Sequence, residues 1–358
     1  MAAENRDISA RAQRLLEDVP APQRPRPRRR LAAFAARAAA RFAVLMVAVS
    51  FVSFLLVGLS PIDPVQANAG QISYATMSAE KRAQLEERWD VDTPVLERYA
   101  SWASSALRGD FGDSLRFNAP VADVVAERFA ASAVLMATAW VLSGAMGLGL
   151  GVAAGMHRGR LIDHLAKAYC YVLSAAPAFW FGLVALVVFS VQLGWFPLGF
   201  SQPIGVASSE VTLADTVYHA VLPALTLSLT GVANIALHTR EKVVEVLESD
   251  YARLARARGE SEASVMAHHG LRNIALPALT LQFASVSEIF GGSVLVEQVF
   301  SYPGLGQAAV TAGLTGDAPL LVAIALASAA LVFTGNLAAN VLYGVVDPRM
   351  REGVAHVG

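Results

Sequence analysis

AYCYVLSAAPAFWFGLVALVVFSVQLG, residues 168–194, contains no Asp, Glu, Lys or Arg. The hydrocarbon core of a bilayer is about 30 Å thick and takes roughly 20 residues of helix to cross. This run therefore reads as a membrane span, and Pro177 within it predicts a bend, because proline removes one backbone hydrogen bond. Five more apolar stretches surround it, at 42–60, 129–154, 220–237, 275–298 and 319–345. Together they account for a chain of 358 residues that is 55% hydrophobic and only 16% charged. Soluble domains average about 25% charged residues. The expectation is an all-α membrane protein with six transmembrane helices.

The charges collect between the spans and give an orientation. Of the 28 Lys and Arg, ten lie in residues 1–41, three in 155–167, six in 238–274 and two in 346–358. On the opposite side, 195–219 and 299–318 carry none, and the long segment 61–128 carries seven. Positive charge in short loops marks the cytoplasmic side, so both termini are expected there, in a cell (inner) membrane. Residues 1–41 read as an Arg-rich cytoplasmic tail whose first 30 residues are too polar to fold alone, and 346–358 as a second tail. The net charge of −1 gives no ground for nucleic-acid binding. The single cysteine, Cys170, can build neither a disulfide nor a thiolate metal site within one chain.

Segment 61–128 is expected outside, as short amphipathic helices with a helix start at Thr93-Pro94. Gly147, Gly151 and Gly155 recur at four-residue spacing and would let another helix approach closely. Pro223 lies inside the fourth span. The halves of the chain show no inverted repeat, and only Glu288 sits near a span's centre, which disfavours an ion-coupled carrier. The chain contains no GxxxxGK[ST] phosphate loop, HExxH, CxxC or GxSxG, so it has no nucleotide site, catalytic residues or metal ligands of its own. His268 and His269 are adjacent and point about 100° apart on a helix, unsuited to chelating one ion.

Segment 238–274, HTREKVVEVLESDYARLARARGESEASVMAHHGLRNI, carries the functional signal. Its apolar residues are helix-spaced from Val243 to Ala255, Gly259 interrupts them, and a second helical stretch leads to Pro277. This predicts a helix-turn-helix hairpin projecting from the membrane, with Ala252, Ala255 and Ala257 and Arg253, Arg256 and Arg258 suited to a partner's groove.

The run from Asp250 to Gly259, followed by Leu271-Arg272-Asn273 and Leu276-Pro277, resembles the coupling loop of ABC-importer permeases of the dipeptide, oligopeptide and nickel class. Most of the chain after residue 60 is similar to that family. The matching residues include Gly109-Asp110, Glu127-Arg128, Arg158-Gly159 with Asp163, Pro177-Ala178-Phe179-Trp180, His219, Thr239-Arg240, Val296-Glu297, Phe300 to Gly306, Asp317 with Pro319, and Asp347-Pro348-Arg349. Departures are Ile62 where glycine is usual, Leu237 where arginine is common, Asn340 where aspartate is common, and Glu288 where a small or apolar residue is usual.

The resemblance implies a type I ABC-importer permease fold and a permease subunit rather than an enzyme. It implies a second homologous permease, two ATPase subunits that hold ATP and Mg, and an external substrate-binding protein. It assigns ATPase coupling to Tyr251, Ala252, Arg253, Ala255, Arg256, Arg258 and Gly259. Peptides, nickel chelates and related solutes all fit this class, and a membrane assembly subunit that moves no solute is the alternative from another class. Glu288, with Ser285 and Gln282, is the expected lining of the translocation path, because a carboxylate at bilayer depth normally faces a bundle interior or water.

Overall fold

The computed structural model describes residues 27–69, 71–88, 93–206 and 210–346. Most of the N-terminal tail, the C-terminal tail and Asp347-Pro348-Arg349 lie outside the described residues. Helix α1 spans Pro27–Gly58 and so takes in the end of the Arg-rich segment as well as the apolar run. Proline is well placed at a first helical position, where its missing N–H has no partner to lose. Residues up to Leu45 and residues from Met46 onward form separate compact units.

Segment 61–128 forms α2 (Pro64–Ala69), α3 (Gln71–Thr76), α4 (Ala79–Arg88) and α5 (Val95–Ala106). Pro94 is the N-cap of α5, as its sequence suggests. A two-stranded antiparallel ribbon, β1 (Asp113–Ser114) and β2 (Ala119–Pro120), then adds a small β element to a chain expected to be wholly helical. The ribbon turns at Asn118, which takes a positive φ of 49°. The Tyr99 hydroxyl lies 3.0 Å from Ser50 Oγ, and its ring meets Phe51 and Phe54 edge-on at 5.3 and 5.6 Å. These contacts seat α5 against the later part of α1.

Next come α6 (Val121–Met156) and α7 (Leu161–Ala175), then α8 (Ala178–Ala185), continued by a π-helical turn Leu186–Gln192. The run 168–194 is thus not one gently bent span: α7 and the helix after it meet at 104° around Pro177. Proline drives its predecessor out of the helical region, and Ala176 is extended at φ −117°, ψ 143°. Helix α9 (Leu213–Glu248) starts at a capping box between Thr212 and Asp215 and passes through Pro223 without ending. There follow α10 (Asp250–Ala257), α11 (Glu262–Val265) with a π turn Met266–Gly270, α12 (Leu271–Ala284), α13 (Val286–Val299), α14 (Leu305–Thr315) and α15 (Ala318–Val346). Among the described residues, 4 helices are long and apolar enough to cross a membrane, or up to 6 if each bent pair, the second being α12–α13 at 46°, counts as one span.

Helices α6 and α9 form the central pair. A Cβ at Gly147 would come within 2.8 Å of the Ile235 Cβ, and one at Gly151 or Gly155 within 2.5 Å of the Cβ of Thr239 or Val243. The glycine stripe is therefore spent inside the chain. In lipid, where helices gain little from burying apolar surface against each other, such close approach is what holds a pair together. Leu135, Leu227, Ile289, Phe300 and Tyr302 extend this core to α13, while Val121, Leu305, Ala312 and Leu320 form a second cluster between α6, α14 and α15.

Candidate functional site

Helix α9 does not run on into the hairpin. It stops at Ser249, whose extended backbone (φ −69°, ψ 158°) starts α10 and whose hydroxyl accepts from Ala252 N at 3.4 Å. The same hydroxyl donates to Val246 O at 2.5 Å, which fixes the corner from both sides. Arg258 ends α10, Gly259 turns the chain at φ 89°, and Ser261 caps α11 by accepting from Ser264 N. No atom lies within 4 Å of where a Gly259 Cβ would stand, so the constraint there is backbone conformation, not space.

Within the hairpin two of the three small residues face inward. Ala252 and Ala255 are buried and pack on Val265. They set the spacing between α10 and α11 rather than forming the outer surface. The outer face carries Tyr251, at 42% exposure, and Leu254, at 55%, with Arg253, Ala257 and Arg258 also exposed. Arg253 pairs with Asp250 at 3.3 Å, and Arg256 folds back to donate to Leu247 O at 2.5 Å, capping the end of α9. Arg256 therefore closes the joint. Tyr251 and Leu254 thus form an exposed apolar pair flanked by arginines.

The base of the hairpin is clamped by residues whose roles the sequence did not reveal. The Asp163 carboxylate, fully buried, accepts from Arg240 Nε at 2.5 Å and Nη2 at 2.8 Å, and from Gly159 N at 2.9 Å. Lys167 Nζ stands 3.6 Å away. This bidentate pair joins the start of α7 to α9 two turns before the corner, and an Arg158–Glu248 ion pair ties the α6–α7 turn to the last residue of α9. At the far end of the bundle, buried Glu297 accepts from Ser132 Oγ at 2.6 Å, Gly306 N at 2.7 Å and Gln307 N at 3.1 Å. Asp317 likewise accepts from Ser114 Oγ at 2.6 Å and Arg116 N at 3.1 Å, and burial pushes its carboxyl above the usual range. These two latches hold the 300–317 segment, which includes α14, against α6 and β1.

The three expected path residues do not share a face. Gln282 and Ser285 are buried. Trp140 Nε1 donates to Gln282 O at 2.7 Å, the Gln282 amide donates to Trp140 O, and Ser285 Oγ donates to Gln282 O at 2.8 Å. They lock α12 to α6. Glu288 is exposed, on the side of α13 that faces away from the rest of the chain.

These features describe a predominantly helical, multi-pass membrane protein with a firmly based helical hairpin. The chain belongs to the binding-protein-dependent transport system inner membrane component family, which matches residues 147–352. It is 34% identical over 307 residues to the oligopeptide transport system permease protein AppB of Bacillus subtilis, covering 86% of this chain and 95% of that protein. The di/tripeptide transport system permease protein DppB of Pseudomonas aeruginosa is 33% identical over 319 residues, 85% of this chain and 94% of that protein. The glutathione transport system permease protein GsiC of Escherichia coli K12 is 36% identical over 303 residues, again 85% and 94%. The resemblance read from the sequence thus holds at the level of the family, and these relatives are named as permeases of oligopeptide, di/tripeptide and glutathione transport systems.

Proposed function

We propose that this chain is the membrane subunit of an ATP-driven, binding-protein-dependent importer of peptides or related small solutes, forming half of the translocation path. It crosses the cell membrane six times with both termini cytoplasmic. A second permease completes the path, and segment 61–128 caps its outer mouth, where an external binding protein delivers solute. Two ATPase subunits hold ATP and Mg, and their closure moves the α10 hairpin.

The observation that carries this reading is the hairpin on its clamped base. A force applied at Tyr251 and Leu254 reaches α9 through the Ser249 corner and the Arg256–Leu247 contact. From α9 it passes to α6 through glycine contacts too tight to slide and to α7 through Asp163–Arg240. Such a chain of stiff parts suits a two-state rigid-body switch of access. The test is ATP hydrolysis by the reconstituted complex with and without loaded binding protein. Gly259→Pro and Leu254→Asp are expected to abolish stimulation while the chain still inserts and assembles. Full stimulation in both variants removes the hairpin from the mechanism.

A further inference from the structure

Glu288 is a carboxylate on the outward side of α13, in the middle of the expected fifth span, and among the described residues it makes no hydrogen bond or ion pair. A charged group facing lipid at this depth costs several kcal/mol, so such residues face a water-filled path or a partner. No Lys or Arg occurs in 275–298 or 319–345, so no cation on α13 or α15 is available to pair with it.

The helix face that carries Glu288 is open. Ala284 and Gly291, four residues before and three after, lie on the same exposed face, and no atom stands within 4 Å of where a Gly291 Cβ would be. The carboxylate thus rises between two small residues, with room for a group to approach. Beside it, Ser287 Oγ donates to Asn336 Oδ1 of α15 at 3.2 Å, and Asn336 and Asn340 are exposed along α15 at one-turn spacing.

We propose that Glu288 is a specificity-determining residue of the translocation path, which attracts solutes bearing a cationic amine, the ammonium of a free peptide N-terminus being the simplest. The assignment rests on the importer reading above and deepens it. Charge complementarity argues for a cation. In a water-lined path such a pair acts on the rate of entry and on discrimination between solutes.

The test uses the complete complex in proteoliposomes, with ATP inside and loaded binding protein outside. Uptake of trialanine is compared with uptake of N-acetyl-trialanine, alongside ATP hydrolysis stimulated by the binding protein. Glu288→Gln is expected to lower trialanine uptake about tenfold relative to the acetylated peptide, with stimulation of ATP hydrolysis retained, and Glu288→Asp to keep most of the preference. Equal uptake of both peptides by the parent and Glu288→Gln complexes at unchanged rates overturns the proposal and leaves the importer reading intact. Parallel loss of uptake and stimulation in Glu288→Gln assigns the residue to assembly and also overturns it. Absence of ATP-dependent uptake by the parent complex overturns the importer reading and this assignment with it.

Discussion

Asp163 joins three parts of the chain through one carboxylate. Its partners are the Gly159 amide in the turn before α7, Lys167 one turn later, and Arg240, 77 positions away on α9. Its side chain is 1% exposed and that of Arg240 18%, so the pair is largely withdrawn from solvent. Removing one member of such a pair leaves the other charge uncompensated and costs about 3 kcal/mol. Asp163→Asn is expected to lower the thermal unfolding midpoint of the detergent-purified complex clearly. Asp163→Asn combined with Arg240→Gln is expected to lose less than the two single variants together. Strict additivity in this cycle would deny the pair. Nothing in the local sequence announces the contact, because pairing over such a separation has no periodicity to read. The same holds for Glu297 with Ser132, which lie 165 positions apart.

Helices show where pattern suffices and where geometry takes over. The spans were legible because lipid demands only length and apolarity, and 129–154, 220–237 and 319–345 each fall inside one observed helix. The 104° turn at Pro177 was legible as a bend but not in size, which follows from the extended Ala176 and the helix restarting at Ala178. In the hairpin the apolar spacing runs past Ser249 unbroken, so the expected corner lay only at Gly259. The signal that marks the real corner is a serine followed by an aspartate, an N-cap ahead of a first-turn acid. The glycine stripe was legible as a close-packing face, while its partner, α9, was not. Gly151→Val tests that pairing. A side chain there meets Thr239 Cβ at 2.5 Å and Ala236 O at 2.6 Å, contacts that only a shift of one helix can relieve. Overpacking of this kind costs typically 1–3 kcal/mol. The expected result is a lower unfolding midpoint and faster trypsin cleavage in detergent, whereas Gly149→Val, at a position with no atom within 4 Å, leaves both unchanged.

Across the whole molecule, polar latches stand at both ends of the central helix pair. One end carries the Asp163–Arg240 clamp and the hairpin, and the other the Glu297 and Asp317 latches at either side of α14. Between them α6 and α9 are held close by Gly147, Gly151 and Gly155 packed on Ile235, Thr239 and Val243. In the function proposed above, ATPase subunits grip the outer face of α10. Ala257 is exposed on that helix, and the native Cys170 is buried, so a cysteine introduced by Ala257→Cys is the reactive thiol of choice. The decisive measurement is cross-linking of Ala257→Cys, in the purified complex, with a short bifunctional thiol-to-amine reagent. The expected result is an adduct of this chain with an ATPase subunit, formed in high yield, altered by ATP, and lost when Leu254→Asp is added. An unmodified chain in a complex whose ATPases remain bound and active would contradict it.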